Sequence, residues 1–173
     1  CLGGYVGNDD VAGGERRQRQ RGKGTGEHAL KLKDSGCDVI VGVRPGGKGD
    51  ICAKADGLRT APIAEAAKTA ALIAVLTPDM THEAIFREEI APNLTPGDAV
   101  LFAHGFTVHY GRIQAPEGVD IILVAPKGPG DLVRREFERG RGVRCLFVIH
   151  LDATGLSPTH ISDPTSSYYV SYS

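Results

Sequence analysis

Four short segments of this 173-residue chain carry the residue types that chemistry needs. They are Arg44-Pro45-Gly46-Gly47-Lys48-Gly49, Thr77-Pro78-Asp79-Met80-Thr81-His82, His104-Gly105-Phe106 and Pro126-Lys127-Gly128-Pro129-Gly130. Imidazole is the side chain that most readily moves protons at neutral pH, so His104 could transfer a proton or donate to a substrate oxygen. The other reading is a histidine held by backbone hydrogen bonds. Lys127 is a cation on a turn stiffened by Pro126, suited to a phosphate or a carboxylate, or simply to water. The glycines in these segments would let backbone approach a ligand closely. Together the four segments describe an anion-binding cleft.

Each segment follows an apolar run. The runs Asp38–Val43, Ala71–Leu76, Ala99–Ala103, Asp120–Val124 and Val143–Ile149 are continuously apolar, as parallel strands covered on both faces are. Helical patterns alternate with them at Glu27–Asp34, Pro62–Thr69, Thr81–Ile90 and Gly130–Glu138. That alternation predicts an α/β fold with a doubly wound, Rossmann-like parallel sheet. In such sheets ligands sit beyond the carboxyl ends of the strands, which is where all four segments fall. Arg44 would then lie near the 2′ position of an adenine ribose, where an arginine favours a 2′-phosphate. A solvated loop arginine fits its spacing equally well. Thr81 or Asp79 fits the cap of the helix that follows Pro78, and that role is compatible with facing a ligand.

Composition excludes several alternatives. A net charge of −1 offers no whole-chain attraction to nucleic acid or to an anionic membrane. The basic run Arg16 to Lys23 lacks interleaved aromatics, so a disordered tail is expected there and no nucleic-acid partner. No apolar run approaches the roughly 20 residues of a membrane span. Cys1, Cys37, Cys52 and Cys145 show no ligand or disulfide spacing, and reduced thiols in a cytoplasmic protein are expected. The remaining histidines share no metal-ligand spacing, so no metal ligand is assigned. Arg134, Arg135, Glu136, Glu138, Arg139 and Arg141 read as a solvated helix face of mixed charge.

From about His28 to Thr154 the chain resembles the N-terminal, NADP-binding domain of ketol-acid reductoisomerase. The motifs include Leu30-Lys31-Leu32-Lys33-Asp34-Ser35-Gly36, Val41-Gly42-Val43-Arg44-Pro45-Gly46 and Ala53-Lys54-Ala55-Asp56-Gly57-Leu58. Glu88-Glu89-Ile90-Ala91-Pro92-Asn93-Leu94 is a further match. Most specific are Phe102-Ala103-His104-Gly105-Phe106 and Val124-Ala125-Pro126-Lys127-Gly128-Pro129-Gly130, followed by Leu132-Val133-Arg134-Arg135-Glu136. The resemblance implies conversion of 2-acetolactate, a 2-hydroxy-3-keto acid, to a dihydroxy acid in branched-chain amino-acid synthesis. A magnesium-assisted alkyl shift is followed by hydride transfer from NADPH, in an oligomeric enzyme. By resemblance, His104 and Lys127 are the catalytic pair and Arg44 contacts the 2′-phosphate. Asp79, Met80, Thr81 and His82 pack against the cofactor, and Gly130 touches its nicotinamide end. The alternatives are a residual NADP-binding module without catalysis and a generic NAD(P)-dependent hydroxyacid dehydrogenase.

Departures from the family fall at the ends and in one loop. The family opens with an apolar strand running into a Gly-x-Gly-x-x-Gly turn. Glu15 to Arg21 stand in that strand's place, so the sheet is expected to lack its first strand, with residues 1–26 irregular. The turn keeps Gly24, Gly26 and Ala29 in a Gly-x-Gly-x-x-Ala spacing. Gly47 and Gly49 stand where the family usually has serines on the 2′-phosphate. Residues 155–173 read as an irregular tail, with a strand signal only at Tyr168 to Tyr172. The family's helical domain with its acidic magnesium ligands is not expected after Thr154. A shifted reading frame at both ends, with an original start before Cys1, would account for these departures. Residues 27–154 are thus the expected domain, incomplete and inactive as an enzyme by itself.

Overall fold

A computed structural model describes residues 2–6, 26, 28–128, 130–155 and 168–169 of the chain. Eight strands form one sheet in the order β3-β2-β1-β4-β5-β6-β7-β8. They are β1 (Leu2–Val6), β2 (Asp38–Gly42), β3 (Arg59–Ala61), β4 (Leu72–Val75), β5 (Ala99–Phe102), β6 (Asp120–Pro126), β7 (Cys145–Leu151) and β8 (Tyr168–Tyr169). The helices are α1 (28–34), α2 (Lys48–Ala55), α3 (Ile63–Thr69), α4 (Asp79–Ile85), α5 (Phe106–His109) and α6 (Gly130–Glu138). The strands β1 to β6 are mutually parallel, and the order 3-2-1-4-5-6 is the doubly wound arrangement expected from the sequence.

The first strand is present, contrary to the expectation from Glu15 to Arg21. Leu2–Val6 lies at the centre of the sheet, parallel to β2 with Leu2 opposite Asp38 and to β4 with Gly3 opposite Leu72. Its sequence, Leu-Gly-Gly-Tyr-Val, is short and has two glycines, which weakens a strand signal. The segment 1–26 therefore contains a strand rather than being irregular throughout. Glu15 to Arg21 lie outside the described residues.

Three further expectations change. β7 runs antiparallel to β6, from Cys145 opposite Pro126 to Leu151 opposite Ile121. After α6 the chain returns to the end of β6 that it left, where Lys127 N–H donates to the Arg144 carbonyl at 2.8 Å. β8 pairs with β7, so the tail holds a strand at Tyr168–Tyr169, inside the stretch that signalled one. α2 and the three-residue β3 are additions: Gly49 inside α2 lowers helix propensity and hides it from a periodicity search.

Period-two alternation distributes the core over both faces of the sheet. Ile73 and Val75 of β4 pack with Ile63, Ala67, Phe86, Ile90, Val100 and Phe102. Ala74, between them, packs on the other face with Ala29, Val39, Val41 and Ala53. Ile73 and Phe102 are fully buried, and burial of each such side chain stabilises by about 1.5–3 kcal/mol. α4 continues into a π-helical turn, Phe86–Ile90, and then a 3-10 turn, Ala91–Asn93, which contains Pro92. Arg134, one of the residues expected on a solvated face, instead reaches from α6 to Asp34 of α1 at 2.6 Å and to Glu138 at 2.8 Å. Its side chain is only 22% exposed, and these carboxylates raise its pKa.

Candidate functional site

The carboxyl ends of the parallel strands carry the segments singled out from the sequence. Strand order reverses between β1 and β4, and the edge beside that switch point is where a ligand fits an open sheet. β5 and β6 lie side by side with Phe102 opposite Leu123. The sheet therefore delivers His104 and Lys127 off the same edge on neighbouring strands. Both side chains are exposed.

The loop after β2 is built around a buried carboxylate. Asp50, in the first turn of α2, is 5% exposed. It accepts from the Gly46 N–H at 2.9 Å, Lys54 Nζ at 2.9 Å and Thr60 Oγ1 at 2.7 Å. The Gly46 N–H, then Lys54 and Thr60, hold its carboxyl down at about 2. Gly46 takes a φ of 73°, which glycine adopts without strain. Gly47 donates to the Arg44 carbonyl at 3.0 Å and occupies the N-cap position of α2, while Gly49 lies in its first turn. Arg44 itself is exposed at the end of this turn. Asp50 was not anticipated from the sequence. An acid in a helix's first turn after a glycine pair was the available signal.

The segment after β4 is organised from inside. His82 is 2% exposed, with Nδ1 2.7 Å from Thr107 Oγ1 and Nε2 2.6 Å from the Thr77 carbonyl. A carbonyl only accepts, so Nε2 carries the proton, and the Thr107 hydroxyl donates to Nδ1. Burial lowers the pKa of His82 and keeps it neutral, against the opposing pull of the Thr77 carbonyl and Asp79. His82 therefore braces this segment through both ring nitrogens. A buried ring with both nitrogens engaged has nothing left to donate. Thr81 corrects the capping expectation: its hydroxyl donates to the Pro78 carbonyl at 2.7 Å, and no side chain caps α4.

Asp79 stands between two imidazoles. Its carboxylate oxygens lie 3.9 Å from His82 Nδ1 and 4.0 Å from His104 Nδ1. The structure thus brings Asp79 and His104 together at the strand edge. Met80 beside them is 80% exposed. Gly130 opens α6 after the Lys127 turn. At Gly128 in that turn a Cβ would come within 3.0 Å of Leu132 Cδ2, a close contact with the mobile end of that side chain. Gly26 is itself helical, two residues before His28 of α1, and Gly24 lies outside the described residues.

The residues fit a dinucleotide in three respects. A cavity of about 140 Å³ opens beside Arg44, lined also by Val43, Pro45, Pro62, Ile63, Ile85 and Glu89. The α2 N-terminus adjoins the same loop. The Thr77 hydroxyl is buried without a hydrogen-bond partner at the end of β4. A metal cage is another matter: among the described residues no three of His, Cys, Asp or Glu gather to hold an ion. No helix among them is long and apolar enough to cross a membrane, and Cys37, Cys52 and Cys145 form no disulfide with one another.

The chain is similar to known proteins in sequence and in fold. The model of the acetohydroxy acid isomeroreductase NADPH-binding domain matches residues 21–164. The ketol-acid reductoisomerase (NADP(+)) of Xanthomonas campestris pv. campestris is 54% identical over 128 residues, 74% of this chain and 38% of that protein. That of Xylella fastidiosa is 54% identical over 125 residues, 72% of this chain and 36% of that protein. An NADH-preferring ketol-acid reductoisomerase from an uncultured archean superposes with a TM-score of 0.72 at 33% identity, covering 88% of this chain and 44% of that one. Mycobacterium tuberculosis 3-hydroxyisobutyrate dehydrogenase, at 12% identity and a TM-score of 0.60, shares the fold alone. The chain spans less than half the length of each of these relatives.

Proposed function

The chain belongs to the acetohydroxy acid isomeroreductase family and carries its NADPH-binding domain, and from that premise we propose that it binds NADPH along the carboxyl edge of its sheet. The observation that carries this reading is the Asp50-clamped loop, which presents Arg44 and the α2 N-terminus beside a cavity with proline and isoleucine walls. Arg44 receives the 2′-phosphate, with the amides around Gly47 and Gly49 in reach. Gly26, at the beginning of the first helix, would lie toward the pyrophosphate. Asp79, Met80 and Thr81 flank the cofactor while His82 holds their segment in place, and Gly130 meets the nicotinamide end. When bound, the cofactor supplies hydride.

In the family's reaction the substrate is 2-acetolactate, reduced and rearranged to 2,3-dihydroxy-isovalerate. His104 would move a proton at the ketol oxygens, oriented by the Asp79 carboxylate beside its Nδ1. Lys127 would pair with the substrate carboxylate or a developing oxyanion. The described residues do not fit a magnesium cage, so the chain by itself binds cofactor without turnover.

Titrating NADPH into the chain and following nicotinamide fluorescence tests this. Saturable binding, weakened by Arg44→Ala for NADPH more than for NADH, is expected. Absence of saturation up to millimolar NADPH would sink the proposal. In a separate assay with 2-acetolactate and magnesium, steady NADPH oxidation would overturn the claim that turnover is missing.

A further inference from the structure

The cavity beside Arg44 has an uneven lining. Pro45, Pro62, Ile63 and Ile85 supply apolar walls, and Ile63 is itself buried. Arg44 stands at one part of the rim, and the only acid in the lining is Glu89. Glu89 is partly buried, and its carboxylate has no hydrogen-bond or ion-pair partner among the described residues. Its neighbour Glu88 differs, being exposed and paired with Arg87 at 3.0 Å. An ionised carboxylate on the cavity wall with no donor from the described residues has acceptor capacity to spare. A ligand that brings an N–H group into the cavity would engage it.

The local backbone makes Glu89 unusual as well. It sits within the π-helical turn Phe86–Ile90, a widened geometry frequent at functional sites. Phe86 and Ile90 are buried in the core, whereas Ile85 and Glu89, four residues apart, both line the cavity. The cavity lies past the ends of β2 and β3, since Val43 and Pro62 directly follow them.

Resting on the NADPH-binding reading, we propose that Glu89 selects the base of the dinucleotide, accepting a hydrogen bond from the exocyclic amine of adenine. An ionised carboxylate only accepts, so it favours an amine at that ring position and repels a carbonyl oxygen. The proline and isoleucine walls cover the flat ring. Arg44 serves the phosphate side of the same nucleoside, so one cavity separates base recognition from charge recognition.

The test compares NADPH with its deaminated analogue, which carries hypoxanthine in place of adenine, by fluorescence titration of the full chain. The unaltered chain is expected to prefer NADPH by about tenfold, the worth of one hydrogen bond to a charged group. Glu89→Gln, whose amide can donate to the carbonyl, is expected to bring the two affinities level, while Glu88→Gln leaves the preference intact. Equal binding of both dinucleotides by the unaltered chain overturns the role of Glu89 and leaves NADPH binding standing. A full preference retained by Glu89→Gln overturns that role as well. Binding of neither dinucleotide removes the NADPH reading itself, and the role of Glu89 falls with it.

Discussion

The Thr107 hydroxyl donates to Nδ1 of His82 across 2.7 Å, with both side chains essentially sealed from solvent. This bond ties α4 to α5, and so ties the segment after β4 to the segment after β5 that bears His104. Removing the donor leaves a buried imidazole nitrogen unsatisfied. Thr107→Val is expected to destabilise the chain by about 1–3 kcal/mol, as a chemical denaturation midpoint would record. An unchanged midpoint would mean the bond contributes nothing.

The same histidine makes stability depend on pH. Burial holds the pKa of His82 below its ordinary value of 6.5, so the folded chain keeps the ring neutral where the unfolded chain takes up a proton. Stability is therefore full above about 6.5 and falls as pH drops from there toward the lowered folded value. His28, also held low by burial and by Lys31, acts with the same sign. Thermal unfolding at pH 8 and pH 5.5 should show the loss, and His82→Gln should shrink it. A pH dependence identical in the variant would contradict the assignment.

Asp50 organises the loop after β2 from within, so its effect on the proposed cofactor site should be read in binding. Asp50→Asn removes the negative charge that faces Gly46, Lys54 and Thr60. NADPH affinity is expected to fall several-fold even though residue 50 itself is buried beneath the loop. Calorimetric titration of the folded variant measures this, and full affinity would show that the loop needs no clamp. Because the Asp50 carboxyl is held at about 2, below its ordinary 3.8, its stabilising contribution is present above 3.8 and lost as pH falls to 2.

Asp120 pins the chain beyond β7. It is fully buried and accepts from the backbone N–H groups of Ala153 at 2.6 Å and Thr154 at 3.0 Å, and from the Thr154 hydroxyl. Asp120→Ala strands these donors and is expected to cost about 1–3 kcal/mol or more. Limited proteolysis should then cut near residues 152–155 faster than in the unaltered chain. Equal cutting rates would argue against the tether.

Gly118 tests the backbone directly. Its φ is 81°, and a Cβ there would meet Pro96 Cβ at 2.9 Å and Pro96 Cα at 3.2 Å. Gly118→Ala is expected to lose upward of about 1 kcal/mol from the left-handed conformation and the contact together. A melting temperature equal to that of the unaltered chain would refute this.

By itself the sequence determined the family, the doubly wound sheet and the strand ends where chemistry belongs. Apolar runs such as Val100 to Phe102 and motifs such as Pro126 to Gly130 are local signals, and family likeness preserves their order. It could not determine what depends on distant partners. Leu2–Val6 is too short and glycine-rich to declare itself a strand, and becomes one between β2 and β4 because their edges need its backbone groups. β7 reverses direction because its start is held beside Lys127. The resemblance put His82 in the stretch against the cofactor, and only the fold shows that Thr77 and Thr107 hold its ring nitrogens. Glu89 entered only as part of the motif Glu88 to Leu94, and it is the fold that sets it in a π-turn beside a cavity lined by Pro45 and Pro62. Burial and partnership are properties of the folded packing, so only the tertiary structure decided them.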